Sequence, residues 1–456
     1  MAVRVGAGSI AQSQIVREQT HPNPGGVAVR FAALHALLAV HKAELGSQAA
    51  VSQALDKVAA VDRGLVTELV YAALRRQRSL DRWIAQASAR GLVGMDDTLL
   101  VALRLGALQL ADMPRIPSFA AVDATVQACK QLDGASKATV GFVHAVLRNL
   151  ARQAQQGGRP DDADLPPWIA QRVADLAADT ASDPVALLAA FCRAAPLHLQ
   201  VLGHGDQLRQ RCDQLCEAGV LGAALPVPGA FVAAGPQALQ HAQFGVTFLA
   251  MDASSAAVVR WLDPQPGWRV LDLCAGRGVK AALLASCGAS VTAVDVSAAK
   301  LVHAAALAEA TGAPLYATHA ADATAELPCD RESFDAVLVD APCTGLGTLR
   351  RRPEIRHRRR AADLVELTII QTQLADRAVE MVKPGGVIML ATCSFAREEG
   401  PLWAAAVQQR HPHLRRSSEN PPWVQPLLDA DGALRTLPTA FGGDAFFAAR
   451  LTAGPG

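Results

Sequence analysis

A chain of 456 residues exceeds the length at which a single hydrophobic core usually stops growing, so two or three domains are expected. Hydrophobic residues make up 51%, enough to fill such cores, and a net charge of +1 leaves any nucleic-acid surface to local clustering. Nine cysteines at irregular spacing, with no secretion signal over Met1–Ile15, argue against a disulfide framework and for reduced thiols in the cytoplasm.

In chain order, residues 1–24 read as a disordered lead ending in Pro22, Pro24 and two glycines. From 25 to 152 apolar residues recur at helical spacing, as in Phe31, Leu34, Leu37 and Leu38, then Leu99, Leu103 and Leu110, then Val140, Val143 and Leu147. Pro114 and Pro117 interrupt them once, and the expectation is an all-helical domain. Leu99–Leu110 contains Arg104 and is too short to span a bilayer, so no membrane segment is expected. Residues 153–167, rich in Gly, Pro and Asp, read as a linker. A small α+β middle region follows over 168–235, with a strand at Leu197–Leu202 and a helix at Asp206–Ala218. Cys212 and Cys216 are one helical turn apart without a second ligand pair, so no metal is expected. From 236 to 456 short apolar runs alternate with helical segments. Trp268–Cys274, Ser290–Val296, Leu315–His319, Asp335–Asp340 and Val387–Cys393 read as strands of a doubly wound, Rossmann-like α/β sheet.

The first of these strands runs into Cys274-Ala275-Gly276-Arg277-Gly278-Val279-Lys280, and a helix follows. Gly276 and Gly278 allow a sharp turn and close approach to a ligand, and the helix start offers free N–H groups to a carboxylate. The next strand ends at Asp295, where a carboxylate can hold ribose hydroxyls. Asp322 follows the third strand, within reach of an adenine edge. These features suit an adenosine cofactor; the third glycine that a nicotinamide enzyme would want near Lys280 is absent. The fourth and fifth strands end in Asp340-Ala-Pro-Cys343 and Thr392-Cys393-Ser394, so two thiols should face one pocket with Asp340 between them.

The segment Asp340-Ala-Pro-Cys-Thr-Gly-Leu-Gly347 with its basic continuation, and Lys383-Pro-Gly-Gly386 followed by Thr392-Cys-Ser394, resemble the motifs of the Sun/NOL1/NOP2 RNA methyltransferases. The resemblance implies an S-adenosylmethionine-dependent RNA cytosine-5 methyltransferase. In it Cys393 is the nucleophile that adds to C6, Cys343 assists product release, and Asp340 contacts ring N3 and the cofactor. It also implies that residues 274–280, Asp295 and Asp322 hold S-adenosylmethionine. The usual Cys-Ala-Ala-Pro-Gly-Gly-Lys loop departs here at Arg277 and Val279, and the Pro-Glu-Glu-Asn stretch is echoed only as Phe395-Ala-Arg-Glu-Glu399. Gly443–Leu451 looks like the family's closing edge strand.

Arg350, Arg351 and Arg352 open an arginine run that continues through Arg356 and Arg358–Arg360, beside the Cys343 loop, and are read as phosphate contacts. Ala102–Leu110, Arg115-Ile-Pro117, Ala120–Asp123 and Gly141–Asn149 resemble the NusB-like, RNA-binding N-terminal domain of one bacterial branch of the family, whose members act on 16S ribosomal RNA. That branch implies an unpaired or flipped cytosine of 16S rRNA as substrate, with no obligate protein partner evident. Two alternatives stay open: a cytosine in another RNA (tRNA or 23S rRNA), or a non-catalytic ribosome-assembly factor on a degenerate methyltransferase scaffold.

Overall fold

The computed structural model describes residues 26–88, 91–133, 135–160 and 164–454; the expected disordered lead lies outside them. Seven α-helices come first among the described residues: α1 (Val27–His41), α2 (Ser47–Leu55), α3 (Arg63–Arg75), α4 (Gln77–Ala87), α5 (Asp97–Asp112), α6 (Ser118–Lys130) and α7 (Lys137–Gln155). They share one core. α5 is buried almost all round, from Val101 to Gln109, because the other helices surround it. Gly106 makes its closest approach possible, since a Cβ there would stand 2.5 Å from the Leu147 side chain of α7.

The expected linker is tied down at its end. Asp164 is buried and accepts from Ser79 Oγ at 2.8 Å and from the Ser79 and Arg78 amides, which lie in the first turn of α4. The two helices that follow, α8 (Pro167–Asp179) and α9 (Pro184–Cys192), pack with Leu346, Leu349, Ile355 and Phe395 of the catalytic loops. A small antiparallel sheet of order β2-β3-β1-β4 comes next, from β1 (His198–Val201), β2 (Leu221–Ala224), β3 (Ala230–Ala233) and β4 (Phe248–Ala250), with α10 (Gly205–Glu217) beside it. Its last strand lies beyond residue 235, where sequence texture alone ends the middle region.

The second, larger sheet comprises β5 (Arg269–Asp272), β6 (Ser290–Asp295), β7 (Ala317–Ala320), β8 (Phe334–Asp340), β9 (Val382–Thr392), β10 (Leu414–Arg416), β11 (Leu434–Arg435) and β12 (Phe447–Ala453). Its order is β10-β12-β9-β8-β5-β6-β7, with β11 paired to β12. β5 to β9 are parallel; the apolar runs of β5, β6, β8 and β9 are buried on both faces, whereas β7, at the edge, alternates between half-buried and exposed. Val270, Leu338 and Met389 face α11 (Ala253–Leu262) and α12 (Val279–Ser286); Leu271, Val337 and Leu390 face α15 (Asp363–Met381) and α16 (Pro401–Arg410). The remaining helices are α13 (Ala298–Ala310), α14 (Ile355–Arg358) and α17 (Pro438–Phe441).

All five expected parallel strands are present. β9 starts five residues early because the Lys383–Gly386 turn is absorbed as a bulge: Phe334 pairs with Val382, Ala336 with Val387. The expected closing edge strand is a correction. β12 lies inside the sheet, antiparallel to β9 on one side and to β10 on the other. Its nearly uninterrupted burial reflects that position. Among the described residues no helix is long and apolar enough to cross a membrane.

Candidate active site

β8 and β9 are adjacent and parallel, with Asp340 beside Ala391, so the residues after them leave the sheet side by side. The Cys343 and Cys393 sulfurs stand 3.3 Å apart, both half-buried. Gly347 stitches the loops together: its amide donates to Cys393 O at 3.0 Å and its carbonyl accepts from Ala445 N at 3.2 Å. A Cβ on Gly347 would fall 1.7 Å from Ala445 O, so only glycine fits. Cys343 is held well above the usual thiol range by its hydrogen bond to Cys393, by burial, and by the nearby charges of Cys393, Glu399 and Asp340.

Lys280 connects the cofactor loop to this pair. Its Nζ donates to Asp340 Oδ2 at 2.6 Å and lies 5.5 Å from the centre of the Phe446 ring. Burial works against its charge, but Asp340, Cys393 and Asp272 more than offset that and raise its pKa. The site therefore contains an ammonium fixed on Asp340 and within electrostatic reach of Cys393. Asp272, at the end of β5, is buried and pushed up to about 7 by desolvation and then by the Asp340 charge. Cys274 is likewise raised, by burial and then by Asp272, Asp340 and Asp295, so it remains a thiol.

The residues expected to hold the cofactor follow the carboxyl ends of β5, β6 and β7. Gly276 and Gly278 have φ of +57° and +83°, and a Cβ on Gly278 would meet Ala304 of α13 at 2.4 Å. Val279 begins α12 without a side-chain cap, leaving its first amides for an anionic group. Asp295 accepts from Gly276 N at 3.0 Å and Ser297 N at 2.8 Å, which fixes the loop against the end of β6. Asp322 is exposed, with Thr324 bonded to its carboxylate, and Val296 is 71% exposed beside Asp295. A carboxylate for a diol, an apolar platform for a purine and an uncapped helix start for a carboxylate fit S-adenosylmethionine. At the two departures from the motif, Arg277 is exposed, its carbonyl meeting His303 Nδ1 at 3.1 Å, and Val279 packs half-buried against the core.

The arginine run is mostly turned inward, which corrects the reading of Arg350 and Arg351 as phosphate contacts. Arg350 is buried and donates to the carbonyls of Gly442 at 2.8 Å and Ala194 at 3.0 Å. Arg351 is held by Asp252 at 2.6 Å and Asp444 at 3.2 Å. Arg356 donates to the carbonyls of Arg75 at 2.8 Å and of Phe191 and Leu349, each at 3.2 Å. His357 meets Leu74 O at 3.0 Å, and Arg358 meets Val40 O at 2.6 Å and Leu45 O at 2.5 Å. Val40, Leu74 and Arg75 lie in the last turns of α1 and α3, whose end carbonyls have no partners within their own helices. Glu354 does the converse, accepting from Ser47 N at 3.3 Å at the start of α2. The run thus buttons the helical domain onto the catalytic loops. Arg352 and Arg360 face outward, with side chains 58% and 80% exposed; Arg358 is exposed as well, but its guanidinium is spent on the Val40 and Leu45 carbonyls.

Sequence reasoning missed Asp272, Phe446 and Glu399. Asp272 lay beside the motif in Leu271-Asp-Leu-Cys274, and Glu399 was visible in the altered stretch 395–399, but nothing in either spacing marked a contact across the sheet.

Two family models match the chain: the 16S rRNA methyltransferase RsmB/F model over residues 259–452 and the NusB family model over 28–152. The chain is 34% identical over 401 residues to ribosomal RNA small subunit methyltransferase B of Xylella fastidiosa, covering 86% of this chain and 89% of that protein. The protein of the same name from Thermus thermophilus is 33% identical over 392 residues, covering 86% and 88%. In fold the chain is similar to the crystal structure of PH0851, at 20% identity and a TM-score of 0.77 over 95% of this chain and 100% of that one.

Proposed function

Because the chain belongs to the RsmB/F family of 16S rRNA methyltransferases, S-adenosylmethionine-dependent enzymes of RNA cytosine C5, we propose that it methylates a cytosine of 16S rRNA through a covalent adduct on Cys393. The observation that carries this reading is the pair of sulfurs 3.3 Å apart beside the Lys280–Asp340 ion pair.

Cytosine C5 is too weak a nucleophile to take a methyl group directly. The Cys393 thiolate adds to C6, forming a C–S bond and pushing electron density to C5. Bound S-adenosylmethionine supplies the electrophilic methyl group that C5 takes. Loss of the C5 proton and expulsion of the Cys393 thiolate then restore the aromatic ring. Lys280 donates to Asp340 Oδ2, and its charge attracts that of the attacking sulfur. The other Asp340 oxygen faces N3, and N3 takes a proton from the Lys280 ammonium through that carboxyl group as C6 is attacked, returning it by the same route when the thiolate is expelled. In the later step the C5 proton passes to solvent water, and Cys343, held as a thiol 3.3 Å from Cys393, donates a hydrogen bond to the departing Cys393 thiolate as the enzyme–base bond breaks. The target base is unpaired or flipped, and Arg352 and Arg360 meet its flanking phosphates. The reaction is assigned to the cytoplasm, where thiols stay reduced.

The test is adduct trapping. Cys393→Ala is expected to abolish methylation and form no adduct. Cys343→Ala is expected to accumulate a protein–RNA adduct that survives denaturing electrophoresis and disappears in the double variant. The reverse pattern overturns the assignment of the two thiols. Bisulfite sequencing of total RNA with and without the protein identifies the substrate; a site lost from tRNA or 23S rRNA rather than 16S rRNA overturns the target.

A further inference from the structure

Behind the two cysteines lies a buried polar cluster to which the mechanism above gives no part. Its centre is Glu399, with no measurable exposure. Glu399 Oε1 accepts from Thr344 N at 2.8 Å and from Gln371 Nε2 at 3.2 Å, and Oε2 accepts from Thr344 Oγ1. Thr344 directly follows Cys343, and its hydroxyl also lies 3.2 Å from Ser394 Oγ, the residue after Cys393. The Glu399 carbonyl accepts from Thr392 Oγ1 at 2.9 Å, the residue before Cys393. One residue thus holds the chain next to both sulfurs. Gln371 adds a second tie to the same loop, donating to Pro342 O at 3.0 Å. A carboxylate is an expensive group to bury, and here all its bonds go to donors around the two thiols.

We propose that Glu399 is a positioning residue of the methyl-transfer reaction, a clamp that sets the approach of Cys343 to Cys393. The proposal rests on the reading of those thiols as the reacting pair. Its place has a further consequence: after the Cys393 hydrogen bond, burial and the Cys393 charge, Glu399 adds to the influences that hold the Cys343 thiol well above its usual range. Glu399 touches neither sulfur as a reactant and exchanges no proton with the base.

Removing the clamp and preserving it make different predictions. In Glu399→Ala the Cys343 loop loses its acceptors, and the rate of adduct formation should fall about 100-fold, the scale of a misplaced reacting group. The affinities for S-adenosylmethionine and RNA should stay within about threefold, since neither ligand meets Glu399. Glu399→Gln keeps an oxygen for Thr344 N and Gln371 Nε2, and its amide can donate to a rotated Thr344 hydroxyl. It should recover adduct formation to within about tenfold of wild type. Thr344→Val, which removes a single hydroxyl, gives the same split on a smaller scale if Glu399→Ala does not fold.

A second readout does not depend on methylation. Diamide oxidises two neighbouring thiols to a disulfide, its N=N bond taking up the two hydrogens to become a hydrazine. Pairing of Cys343 with Cys393 reports their approach alone. It should be rapid in the wild type and in Glu399→Gln and at least tenfold slower in Glu399→Ala. Equal pairing rates in all three proteins overturn the clamp, as does equal loss of adduct formation in Glu399→Ala and Glu399→Gln with normal ligand affinity. Slow pairing in Glu399→Ala alongside a wild type that forms no RNA adduct would leave the clamp standing and overturn the covalent reading.

Discussion

Two polar clusters flank the small apolar core formed by Leu346, Leu349 and Ile355, and they handle charge in opposite ways. On one side Cys343, Cys393, Lys280 and Asp340 are half-buried, with their reactive atoms directed at one another. On the other, Arg350, Arg356 and Arg358 give their donors to backbone carbonyls, several at helix ends. The first cluster retains groups that a substrate can still engage; the second is already satisfied by protein. Both are dense in charge, and only the location of the partners separates chemistry from assembly.

The largest effect that would sharpen this contrast is on the assembly side. Arg356→Ala leaves three carbonyls without their donor in a buried setting and should cost about 3 kcal/mol or more of stability, measured by chemical denaturation. Proteolysis near residues 153–167 should accelerate, because the helical domain loses its anchor. A variant as stable as wild type would break the comparison. On the chemistry side, Asp295→Ala should weaken S-adenosylmethionine binding by about 2 kcal/mol, close to 30-fold in Kd by calorimetry, and loosen the Gly276 loop that its carboxylate holds. Unchanged affinity would remove Asp295 from the cofactor site.

A subtler test uses protons. Burial depresses His357 to about 4, below its ordinary 6.5, with the Leu74 carbonyl opposing the shift. Between those values the unfolded chain binds more protons than the folded one. The stability His357 contributes is therefore complete above about 6.5 and is lost as pH falls towards 4. Denaturation at pH 5 against pH 7.5 should show a loss of about 1–2 kcal/mol that His357→Gln diminishes. Equal pH dependence in both proteins would place the acid-sensitive contact elsewhere. The smallest effect separates neighbours. Arg352→Glu should flatten the salt dependence of RNA binding by about one counterion, whereas Arg351→Ala should lower stability and leave the slope alone. Equal slopes for Arg352→Glu and wild type would leave Arg352 a solvated charge.

Much of this was legible in the sequence because it is local. Apolar runs separated by helical stretches gave the parallel strands, and the loops 274–280, 340–347 and 392–394 each sit at a strand end, where sheets of this kind bind ligands. What was illegible is pairwise and distant. Seven arginines in eleven residues look like a surface until the carbonyls of Val40, Leu74 and Arg75, some three hundred residues earlier in the chain, are found beside them. Glu399 bonds a residue fifty-five positions away, and no periodicity encodes that. The internal place of β12 was hidden for the same reason: its composition suits an edge or a centre equally, and only β10 beyond it decides.

That place of β12 has a consequence for synthesis on the ribosome. The helical domain has its own core and can fold as soon as its residues emerge. The catalytic sheet cannot finish then. Phe446, which faces Lys280, and Ala445, which pins Gly347 beside Cys393, sit just before β12, the last strand of the sheet to be translated. A nascent chain can therefore carry its folded helical domain while its thiols are still unassembled. Methyl transfer begins only once the translating ribosome has delivered the C-terminal strand.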